Sequence, residues 1–170
     1  RQSPNPVAMM PGPSDLHHPV STSNLEAQKF FDQELRLVYA FNHDEASRAF
    51  HRAADLDAHL AMAWWGVALA NGPNYNLPVD PEHEKICADA IDKARALDAS
   101  APQIEKDYID ALARRFTHDT NPDYLRLGTA YAEAMRQLSH KYPDDPDAAT
   151  LFADSLMNLR QWKLYRSRSE

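Results

Sequence analysis

The chain has 170 residues, and 18 Lys+Arg against 25 Asp+Glu leave a formal net charge of −7. That length suits one domain able to bury a real core, and the acidic balance argues against nucleic acid or an anionic membrane surface as partner. Twenty-six Ala, against nine Val plus Ile and four Gly, favour helices over strands. The single cysteine, Cys87, rules out an internal disulfide and a thiolate zinc cluster, and reads as a small buried apolar residue. No stretch approaches the ~20 apolar residues of a membrane-spanning helix, so no membrane insertion is expected.

Residues 1–22 hold five of the twelve prolines and no apolar period, which reads as an extended N-terminal arm. The chain starts at Arg1, and its natural start is expected to have been removed. "LHHPV", residues 16–20, is apolar at both ends and is expected to lie on the first helices. Ser23 with Glu26 forms a capping box, behind which Phe30, Phe31, Leu35, Leu37, Val38 and Phe41 mark a first helix to about residue 41. Asn42 with Glu45 repeats the cap for a second helix carrying Ala46, Phe50, Ala53, Ala54 and Leu56. His43, Asp44 and Glu45 then occupy a first turn, where carboxylates meet the positive end of the helix dipole. A helical metal site would need a second ligand four residues after His43, and that residue is Ser47.

A third helix, near 60–71, holds Met62, Trp64, Trp65, Val67 and Leu69 and stops at Gly72-Pro73. "GPNYNLPV" is a loop, and Asp80-Pro81 opens a fourth helix to about Leu97. Ser100 with Gln103 caps a fifth, carrying Ile104, Tyr108, Leu112 and Phe116. Asn121-Pro122 starts a sixth, to about Lys141, and "YPDDP" leads Pro146 into a seventh with Leu151, Phe152, Leu156 and Leu159.

Phe30 and Trp64 stand 34 residues apart, as do Ala27 and Ala61, and Ala46, Phe50 and Ala53 keep the small-large-small spacing of closely approaching helices. These features resemble the tetratricopeptide repeat. The resemblance implies an all-α fold, a right-handed superhelical stack of antiparallel helix hairpins with about seven helices. It would span residues 23–162, between the arm of residues 1–22 and a tail of residues 163–170. Two departures stand out: Glu34 sits where the repeat prefers Gly or Ala, and the second unit carries about ten extra residues, since Ala46 to Ala90 is 44. "HHPVST", "EAQKFFDQ", "YAFNHDEA", "AWWGVALANGPNYN" and "YPDDPDAATLFADSLMNL" look more narrowly like a bacterial group of predicted exported tetratricopeptide-repeat proteins. That likeness implies bacterial origin, a periplasmic or secreted location and a scaffold without an assigned reaction.

Such stacks present a concave face to proteins or peptides. Under the repeat register that face receives Gln28, Phe31, Leu35, Val38 and Tyr39 from the first helix and Met62, Trp65 and Leu69 from the third. Asn74 and Tyr75 of the loop stand beside it, while Trp64 fills the buried aromatic slot. The expected function is therefore a non-catalytic binding scaffold, with no cofactor, no metal and no catalytic residue assigned. The alternative is a metal-binding protein or metal-dependent enzyme drawing on scattered His, Asp and Glu. Its eight His lack the i, i+4 spacing of a helical site, although His17-His18 on the arm offers a weak metal site. Leu151, Leu159, Trp162 and Leu164 are expected to be partly uncovered at the C-terminal end, which points to a homodimer through the seventh helix or to a longer natural chain of which this is a fragment.

Overall fold

The computed structural model describes residues 7–10, 16–78 and 80–163, and among them it forms seven α-helices and no strand. They are α1 (Leu25–Tyr39), α2 (His43–Leu56), α3 (Ala61–Asn71), α4 (Pro81–Leu97), α5 (Gln103–Leu112), α6 (Tyr124–Lys141) and α7 (Pro146–Asn158). A short 3-10 turn, Asp98–Ser100, joins α4 to α5. Part of the expected arm, Val79 of the inserted loop and the tail from residue 164, with Leu164, lie outside the described residues.

The helix starts follow the prolines closely and the expected caps less so. Pro81 and Pro146 sit in the first turns of α4 and α7, where the missing N–H has no intrahelical partner to lose. Asp80 and Asp145 cap them, each accepting from backbone N–H groups of the first turn. At α1 the cap is Asn24 rather than Ser23, its side chain accepting from the amides of Glu26 and Ala27 at 3.0 and 3.2 Å. Asn42 precedes α2 without a side-chain cap bond. Ser100 lies in the 3-10 turn instead of capping α5, and Asp123 rather than Asn121 caps α6.

Each helix packs mainly on its chain neighbours, and α3 also touches α1 and α5. The sequence of α3, AMAWWGVALAN, has no polar side, so it must be covered all round. Gly66 lets α2 close on it, because a Cβ there would run into the Phe50 ring. The face expected to be an open groove is largely buried, with Val38 and Leu69 only 8 % and 5 % exposed. Phe31, Leu35, Met62 and Trp65 are core, Trp65 only 1 % exposed, because α1, α5 and the arm cover the face expected to be open. The Trp65 indole N–H donates to the Tyr108 carbonyl at 3.2 Å, and its ring lies 6.3 Å from Phe31 and 5.6 Å from Tyr108. Trp64, expected in the buried slot, is the half-buried one, edge-on to His51 with the Lys93 ammonium over its ring.

At the C-terminal end Leu151 is buried, against expectation, whereas Leu156 and Trp162 are exposed and Leu159 is half-buried. The chain beyond α7 folds back on the inserted loop. The Gln161 amide donates to the Asn74 carbonyl at 2.5 Å, and the Trp162 ring lies 5.1 Å from Tyr75.

Candidate functional site

Two places gather chemistry, and the arm builds the first. Residues 16–22 run without helix along α1 and reach α5 and α7. Gln28 holds this segment as one strand of backbone holds another: its Nε2 donates to the His18 carbonyl at 2.8 Å and its Oε1 accepts from the Val20 amide at 3.0 Å. Asp32 accepts from the His18 amide at 3.0 Å and from the His17 ring at 2.9 Å. Ser21 donates both its amide and its hydroxyl to the Glu105 carboxylate. Gln28, expected to meet a ligand, thus binds this chain's own N-terminal segment.

The arm delivers His18, only 6 % exposed, to the start of α7. Its Nδ1–H donates to Asp147 Oδ2 at 2.7 Å, and the Tyr39 hydroxyl donates to Asp147 Oδ1 at 2.7 Å. Tyr108 donates to Asp145 Oδ2 at 2.7 Å, while Asp145 Oδ1 caps α7. Burial pushes the Asp147 carboxyl up, but the bonds from His18 and Tyr39 and the nearby imidazole outweigh it, so its pKa falls below the ordinary value. The same carboxylates, after burial, push the Tyr39 and Tyr108 phenols well above theirs. Burial also raises Glu105, tempered by the two Ser21 bonds. An open groove of about 610 Å³ runs past His18, Glu105, Tyr108, Lys141, Asp145 and Asp147.

The second place is a cavity of about 370 Å³ where the ends of α1 and α3 meet α7. Its walls include Val38, Leu69, Leu151 and Met157, with Tyr39 and Asn74 at its edge. His43, Arg115 and Asp154 are among its polar lining groups. Arg115 is 6 % exposed and donates to the Pro73 carbonyl at 2.6 Å, its guanidinium 5.0 Å from the Tyr131 ring centroid. Burial raises the Asp154 carboxyl, an effect that Arg115 and a 2.8 Å bond from Asn158 reduce. Both ring nitrogens of His43 are buried without a hydrogen-bond partner, and burial lowers its pKa.

Of the ten residues expected on or beside the binding face, the fold brings Val38, Tyr39, Leu69 and Asn74 to this one cavity. Tyr75 is half-buried against Trp162 instead. The residues that sequence reading did not single out are Arg115, Asp154, Asp145 and Asp147. For Asp145, "YPDDP" offered a legible signal, but it reads first as a helix cap, and Asp147 lies just beyond it. Comparison of the chain with protein-family models, with curated proteins and with solved structures finds no match in any of the three.

Proposed function

We propose that the chain is a non-catalytic peptide-binding module, its helices stacked as tetratricopeptide-like hairpins in a right-handed superhelix. The observation that carries this reading is the cavity between α1, α3 and α7. At about 370 Å³ it lies within the range of ligand sites, and it pairs apolar walls with a few convergent polar groups. Val38, Leu69, Leu151 and Met157 suit one apolar anchor side chain of the ligand. Arg115, Asp154 and His43 then offer partners to the peptide groups or end group beside that anchor. Arg115 is well suited because a largely desolvated guanidinium has lost most of its water and gains from any added acceptor.

A peptide library selected on the immobilised protein tests this. Half-buried Met157, enlarged to Trp, fills the cavity from the α7 side. Selected peptides are expected to bind the Met157→Trp variant at least ~30-fold more weakly, the size of a lost ~2 kcal/mol anchor. The melting temperature should move by only a few degrees. Peptides that bind both forms equally would place recognition elsewhere.

A further inference from the structure

We propose that His18, Asp145 and Asp147 form a binding site for one divalent transition-metal ion of the Zn2+ or Mn2+ kind, joining the arm to the start of α7. Each of the three residues offers one donor atom, and these atoms all lie within 4.8 Å of one another. At metal–ligand distances of ~2.0–2.2 Å, donors on one ion stand ~3–4 Å apart, so a small inward movement completes the set. One imidazole with two carboxylates suits borderline first-row ions better than Mg2+ or Ca2+, which prefer all-oxygen sites.

Three further observations point to an ion rather than to a purely structural network. The Tyr39 and Tyr108 hydroxyls each donate to one of the two carboxylates at 2.7 Å, which is how outer groups orient metal-bound carboxylates. Each oxygen so bonded keeps a second lone pair for the ion. His18 is 6 % exposed and its ring lines the groove, so an ion there would meet a largely desolvated imidazole. That groove, of about 610 Å³, gives the ion a way in and room for water as its remaining ligands. The ion would replace the hydrogen bond between His18 and Asp147, the imidazole staying neutral with its proton on the ring nitrogen that does not bind the ion. The positive end of α7 opposes a cation, but a partial charge is outweighed by two full carboxylates.

The test uses the full chain, stripped with chelator and titrated calorimetrically with Zn2+ alone and then Mn2+ alone. One ion per chain is expected, retained on dialysis. His18→Ala and Asp147→Asn should each weaken binding at least ~100-fold, and Tyr108→Phe, which keeps all three ligands, about tenfold. His17→Ala, which removes only the exposed neighbour paired with Asp32, should leave affinity within about twofold. Circular dichroism checks that each variant is folded, and should His18→Ala not fold, Asp145→Asn and Tyr108→Phe carry the test. No stoichiometric ion in the wild type overturns the proposal. So does binding that survives the ligand variants, because the ion would then sit at surface His such as His118 beside Asp92.

Discussion

Trp65→Ala is expected to lower the stability of the folded chain by about 4 kcal/mol, the range seen when a fully buried aromatic is truncated. Trp65 is 1 % exposed, wedged between the rings of Phe31 and Tyr108, and donates to the Tyr108 carbonyl. Truncation leaves a cavity between α1, α3 and α5 and removes the indole's bond to that carbonyl. Trp64→Ala removes a half-buried ring whose contacts are His51 and the Lys93 ammonium, and should cost about 1–2 kcal/mol. Urea denaturation of the two variants compares them directly. A smaller loss at Trp65 than at Trp64 would mean that the α5 side of α3 is not closed.

Glu34→Met should stabilise the protein at neutral pH while changing little at pH 4.5. Glu34 is fully buried in α1, and both carboxyl oxygens lack a hydrogen-bond partner. Burial, with a smaller contribution from Asp32, pushes its pKa from 4.5 up to about 10, so it is a neutral acid at pH 7. Below pH 4.5 the group is protonated whether the chain is folded or not. Above that, the unfolded chain releases a proton that the folded chain keeps, and stability falls by ~1.4 kcal/mol per pH unit until the folded pKa is passed. Between pH 4.5 and 7 the loss is about 3 kcal/mol from this group alone. Met fills a similar volume without a titrating group, so the wild-type-minus-variant difference should grow by that amount over the interval. A variant that is less stable at both pH values would show that the carboxyl is held by a partner.

The helical class was legible because it rests on local signals. Apolar spacing and the prolines at 81 and 146 located the helices within a few residues. Caps were harder, since Ser23 and Asn24 are both good cap residues and only the path of the incoming chain selects Asn24. The open face was not legible. Phe31, Leu35, Met62 and Trp65 have the right spacing for a groove, but spacing cannot tell a face that meets solvent from one that meets another helix or the arm. Helix α3 has no polar side to orient it at all. The His18 cluster was beyond local reading for another reason: it joins residues 129 apart through a segment with no periodicity. Glu34, noted only as a departure from the repeat, is the one buried anomaly that the sequence did flag.

The arm also changes how the molecule comes apart. Helices that answer mainly to their chain neighbours form a row, and a row can fray from either end while its middle stands. Here His18 grips Asp147 and Ser21 grips Glu105, so the segment of residues 16–22 is tied to α5 and to the last helix. The row becomes a hoop. A hoop has no free end from which to peel, and opening it anywhere releases the strap that holds both sides. Loss of helix content and change in tryptophan emission should therefore coincide in one denaturation curve, whereas His18→Ala should separate them. The same strap must find its seat across the whole chain before the hoop closes, which places its docking late in folding and makes the last step the slow one.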